Sequence, residues 1–110
     1  DGVVTTDFND RGYGPEVNAQ RIAICQTGKL EYMCVVCSGP DHPNSKGMNI
    51  HEFVTLLTTL GDIQNAYNLD GGTSASMIFR NEKINNFGST KKRGINDIIC
   101  FCSAWAEEAE

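Results

Sequence analysis

Two apolar runs dominate the first half of the chain. Ile22-Ala23-Ile24-Cys25 and the stretch Leu30 to Cys37 flank the polar segment Gln26-Thr27-Gly28-Lys29. Short apolar runs around a glycine-bearing turn predict a β-hairpin. Both runs are apolar at odd and even positions, which places them in the middle of a sheet covered on both sides. Before them, residues 1 to 20 carry several glycines and acids, and only Val3-Val4-Thr5-Thr6 has the look of a strand, at an edge. After them, Ser38 to Gly47 holds two prolines and two glycines and reads as a loop.

A helix is expected next, over about residues 50–60. Ile50, Phe53, Val54, Leu57 and Leu60 recur at helical spacing and make one apolar stripe. Asn49 is a good N-cap, Glu52 three residues on completes a capping box, and Met48 with Phe53 has the spacing of a hydrophobic staple. Gly61 is the stop. Glu52 is therefore read as a cap, and His51 and His42 as ordinary surface residues.

The strand Ala66-Tyr67-Asn68-Leu69-Asp70 follows, with Asn68 and Asp70 on one face by alternation. It runs into Gly71-Gly72-Thr73-Ser74-Ala75-Ser76. A carboxylate at a strand end, two glycines that let backbone approach a ligand, and three hydroxyls make this the candidate site; the plain alternative is a turn between strands. Met77-Ile78-Phe79 and Lys83-Ile84 suggest a second hairpin around Asn81-Glu82. Ile95 to Cys102 reads as a final buried strand with Asn96 and Asp97 at its start, and Ala106 to Glu110 as a frayed acidic tail. These elements give an α+β fold, a mixed or antiparallel sheet packed on one main helix with long polar loops, in one domain over residues 1–110.

Composition narrows the partners. A net charge of −5 offers no electrostatic footprint for nucleic acid, and Lys91-Lys92-Arg93 is the one basic cluster. No run is long enough for a membrane span, and no signal peptide is present. Of the five cysteines, Cys34 and Cys37 stand three apart on a strand and so face opposite ways, and Cys100 and Cys102 lack a second ligand pair. All five are read as small buried hydrophobes, which suits a reducing setting. Arg21, at the mouth of the first strand, either faces a ligand or snorkels to solvent.

Taken in order, Arg21-x-Ala23-Ile24, Ser45-x-Gly47-Met48, the capped helix, Asn68-Leu69-Asp70-Gly71-Gly72, Ser74 and Arg93-x-x-Asn96 resemble the phosphodiester glycosidase family over about residues 20–102. The resemblance implies hydrolysis of a sugar-1-phosphodiester on a glycan or glycolipid, with N-acetylglucosamine as a sugar the family removes. It implies Asp70 as nucleophile or base and Arg21 and Arg93 as the phosphate grip. Ser45, Asn68 and Asn96 would orient substrate oxygens, and the backbone of Gly71, Gly72, Thr73 and Ser74 would donate N–H groups. Asp41 and Asp97 are further carboxylates. A carbohydrate phosphodiester is then the expected partner and the compartment secreted or cell envelope, although five cysteines also fit the cytoplasm. No cofactor is expected; in an alternative, Asp70 and Asn68 offer oxygen ligands for Ca²⁺.

The sequence departs from the family in three places. Ser38-Gly39-Pro40 stands where Asp-Gly-Arg is usual, Thr73 replaces a third glycine, and an Asn-Gly-Gly-type opening segment is missing. The chain is thus expected to be a C-terminal part of the domain, completed by a missing N-terminal segment or partner chain, or else a reduced member. A non-catalytic carbohydrate- or phosphate-binding module is the second function these departures allow.

Overall fold

The structure, a computed structural model, describes residues 16–40, 42–85, 94–95 and 97–103. Strand β1 (Arg21–Gly28) pairs antiparallel with β2 (Glu31–Cys37) as the predicted hairpin, with Leu30 at φ 57° in its turn and a register shift between Gln26 and Gly28. Helix α1 (Ile50–Thr58) follows, and then β3 (Asn65–Asn68), which pairs antiparallel with the other edge of β1. The sheet order is therefore β2-β1-β3, an antiparallel sheet with one helix, as the α+β reading expects. A two-stranded ribbon, β4 (Ile78–Phe79) and β5 (Glu82–Lys83), completes the described elements.

The helix begins where its caps dictate. Glu52 N–H donates to Asn49 Oδ1 at 2.8 Å while Asn49 N–H donates to Glu52 Oε1 at 3.0 Å, so two orphan donors of the first turn are satisfied reciprocally. Its buried face, Ile50, Phe53 and Leu57, lies on Ala23 and Cys25 of β1. Met33, Val35 and Cys37 of β2 complete this side, because in antiparallel register they share a face with Cys25, Ala23 and Arg21. Met48 packs on the same cluster as Phe53, as the staple spacing predicts, whereas Leu60 lies past the helix and is exposed.

Several expectations are corrected. Among the described residues the sheet is covered on one face, by the helix: Ile22, Ile24 and Val36 on the other face are half-buried, and Tyr67 there is 70% exposed. Among the described residues β2 pairs with β1 alone and so stands at the edge of the sheet, where an interior strand was expected. β3 ends at Asn68 and all four of its residues are exposed, so Asp70 lies beyond a surface strand. The second hairpin turns at Arg80-Asn81, one residue early, because these two adopt the left-handed values φ 52° and 70° that a tight two-residue turn requires. Among the described residues of 94–103 no strand forms, and Ile95, Ile98, Ile99 and Phe101 are exposed. Only Cys25 is a buried thiol; Cys37 is half-buried and Cys34, Cys100 and Cys102 are exposed. Val3–Thr6 and the acidic tail lie outside the described residues. Among the described residues no helix is long and apolar enough to cross a membrane.

Candidate functional site

The chain leaving β3 stays against the start of β1. Leu69 N–H donates to Ile22 O at 2.8 Å, and Gly72 N–H donates to Gln20 O at 3.0 Å, continuing the strand pairing in looser form past Asp70. Glycine is needed here on steric grounds, since a Cβ on Gly71 would stand 2.5 Å from the Gln20 carbonyl oxygen. Gly72 adopts φ 62° and opens a single 3₁₀ turn (Gly72–Ser74), closed by Ala75 N–H donating to Gly72 O at 3.2 Å.

A second loop meets the same segment from the other side. Ala19 and Met48 exchange backbone hydrogen bonds of 3.1 and 3.0 Å, and a Cβ on Gly47, at φ 73°, would reach 2.8 Å from Ala19 N. Ser45 Oγ donates to Ser38 O at 2.7 Å and accepts from Gly47 N–H at 3.1 Å, which folds the Ser38–Gly47 loop back on itself. Residues 18–20 are thereby wedged between two glycine-bearing loops. The result is an open cleft of about 150 Å³ with three walls: Asn18 to Gln20, Gly39 with Pro40, and Gly72 with Thr73.

Arg21 lies beneath this cleft and is 7% exposed. Its Nε donates to Met48 O at 2.9 Å and Nη2 to Val17 O at 2.5 Å, so the guanidinium ties together two chain segments bordering the cleft. Burial pushes its pKa down, and Cys37, its register partner on β2, opposes that shift. Burial in turn pushes the Cys37 thiol up, against the lowering effect of a backbone N–H and the charge of Arg21.

The predicted residues separate into three groups. Gly72 and Thr73 line the cleft with Gln20; Gly71 and Ser74 flank them in the same turn, and the Arg21 side chain approaches Gly71, its Cδ 3.8 Å from where a Cβ there would be. Asn68 and Asp70 are exposed on the approach to that turn, and Ser45 sits in the facing loop with its hydroxyl engaged by backbone. Arg93, Asn96 and Asp41 lie outside the described residues. Among the described residues no three His, Cys, Asp or Glu side chains converge in a cluster that could hold a metal.

Two residues were not anticipated. Gln20 and Asn85 are 4% and 1% exposed, and their amides interlock. Gln20 Nε2 donates to Gly72 O at 2.7 Å; Asn85 Nδ2 donates to Gln20 Oε1 and, at 2.9 Å, to Ala75 O; Asn85 Oδ1 accepts from Met77 N–H at 2.8 Å. Every polar atom of the pair has a partner, as burial at this depth demands. No local pattern marks the pair, because the bond that joins them spans 65 positions of chain.

The family model for phosphodiester glycosidase matches residues 1–102, a longer span than the motif resemblance covers. No curated protein and no solved structure matches the chain.

Proposed function

Given that the chain belongs to the phosphodiester glycosidase family, we propose that it hydrolyses a sugar-1-phosphodiester, releasing the free sugar and a phosphate monoester. The observation that carries this reading is the cleft walled by Gly72 and Thr73, which follow Asp70 in the turn, in a chain matched by the phosphodiester glycosidase family model. Water adds to the anomeric carbon, the bond from that carbon to the phosphate oxygen breaks, and the phosphate departs with the bonding pair. A phosphate monoester has a second pKa of about 6, so the departing oxygen needs little protonation and a single carboxylate suffices for the rest. That differs from ordinary glycosidases, which need a carboxylate pair.

Asp70 fills this role, either taking the proton of the attacking water or forming a glycosyl ester that water then opens. It is exposed and stands two positions ahead of Gly72, a residue of the cleft wall. Arg21 contributes a buried positive charge under the Gly71 turn, and Arg93 is the cation for the phosphate. Asn68, Ser45 and Asn96 orient oxygens. The sugar suggested by the family is N-acetylglucosamine, carried on a glycan or glycolipid, in a secreted or envelope setting.

A second reading is favoured by Ser38-Gly39-Pro40. These residues supply neither a carboxylate nor a guanidinium, yet Gly39 and Pro40 form one wall of the cleft. A chain that keeps the pocket and lacks those groups would bind the sugar phosphate without turning it over. One experiment separates the two: the full chain is incubated with the methyl phosphodiester of N-acetylglucosamine 1-phosphate, and both free sugar and bound ligand are measured. Sugar release that falls at least a hundredfold in Asp70→Asn is expected. Binding without release establishes the module instead, and undiminished release in Asp70→Asn removes Asp70 from the chemistry.

A further inference from the structure

The wall of the cleft formed by Gly72 and Thr73 has almost no apolar anchor. Across Gly71–Met77 only Ala75 is a buried hydrophobe, and Thr73 and Ser76 are exposed. Its position is fixed instead by directional bonds that converge from two distant parts of the chain, Gln20 ahead of β1 and Asn85 after β5. Resting on the reading of the cleft as substrate site, we propose that Gln20 and Asn85 are paired positioning residues: their interlocked amides set Gly72 and Thr73 against the cleft, and with them the preceding Asp70.

The geometry supports action as a unit. Gln20 holds Gly72 twice, through its own backbone carbonyl to Gly72 N–H and through Nε2 to Gly72 O. Its remaining side-chain atom, Oε1, is committed to Asn85. Asn85 then reaches Ala75 O and Met77 N–H, three and five residues beyond Gly72. Asp70 is bracketed by the two anchors already described, Leu69 on Ile22 and Gly71 against Gln20. Because an amide cannot serve its acceptor if it rotates to serve another donor, losing one partner leaves the other without a complete set of bonds. Gln20 makes no bond to Met77, so its side-chain route to Met77 runs through Asn85, alongside the backbone route from Gly72, and only the side-chain route depends on the acceptor and donor of Asn85.

That separation supplies the test. Backbone amide exchange is measured residue by residue in the full chain for wild type, Gln20→Met, Asn85→Leu and Asn85→Asp. In Gln20→Met, exchange at Gly72, Ala75 and also Met77 rises at least tenfold, while the β1 and β2 amides keep their wild-type rates. In Asn85→Asp at neutral pH, which retains an acceptor for Met77 N–H and loses the donor, Met77 stays protected and Gly72 does not. In the same variants kcat on the methyl phosphodiester of N-acetylglucosamine 1-phosphate falls at least tenfold with KM changed less than threefold. An unaltered Met77 in Gln20→Met overturns the proposal, as does exchange that rises equally in β1 and β2, which marks general destabilisation. If wild type releases no sugar, the hydrolase reading fails and the exchange measurements alone decide the relay.

Discussion

The β1–α1 core and the Gly71–Asn85 region are held by different physics. In the core, Ala23, Cys25, Ile50, Phe53 and Leu57 bury apolar surface against one another, a cohesion that is non-directional and tolerant of small shifts. In the second region the buried contacts are amide-to-backbone bonds made by Gln20 and Asn85, which depend on angle and distance. The first makes a stable platform; the second fixes where a short loop stands on it. A chain of this size with one covered sheet face has little apolar surface to spare, and its candidate site is accordingly shaped with hydrogen bonds and glycines.

Substitutions in the two regions should part company. The largest effect is expected from Phe53→Ala, which empties the centre of the core and should cost about 3–5 kcal/mol; urea unfolding followed by circular dichroism measures it, and a loss below about 1 kcal/mol would place the core elsewhere. Gly71→Ala comes next. Its Cβ meets the Gln20 carbonyl, so a cost of about 1–3 kcal/mol is expected, and ligand binding should be lost while the helical signal persists in the folded protein. Equal binding by Gly71→Ala and wild type would contradict the tight approach at the turn. Asn49→Ala removes the capping box and should cost about 1 kcal/mol, with no effect on affinity for the sugar phosphate.

The smallest effect concerns protons. Burial raises the Cys25 and Cys37 thiols above the ordinary thiol range, so the folded chain retains protons that the unfolded chain releases. Their contribution is complete below pH 9 and is lost as the pH climbs through the folded values, which a series of alkaline urea titrations reads directly. A midpoint unchanged well above pH 9 would refute it. Native-state alkylation sharpens the same point, with exposed Cys100 and Cys102 reacting before buried Cys25.

What could be read from the sequence follows the range of the forces involved. The helix and its start were legible because Asn49 and Glu52 act over a single turn. The β1–β2 hairpin was legible for the same reason, its partners being adjacent in the chain. Apolar pattern misled over 95–102, where the described residues form no strand and stay exposed; β propensity records fit to a neighbouring surface more than a preference of the backbone itself. The Asp70–Gly72 turn is legible through its glycines, but alternation does not reveal that β3 stops at Asn68 and that its four residues are exposed. Gln20 and Asn85 were invisible, since a bond across 65 positions of chain leaves no local trace.

Asn85 has one more consequence, for engineering. Met77 and Asn85 bind each other on either side of the β4–β5 ribbon, Met77 N–H to Asn85 Oδ1 and, next door, Ile84 N–H to Met77 O at 2.9 Å. The ribbon is thus tied off at its base, like a purse closed by its string, and its exposed tip at Arg80-Asn81 is not part of the cleft lining. Extra residues, a fluorophore or an affinity tag spliced in at that tip should leave the knotted base and the Gly72–Thr73 wall of the cleft in place.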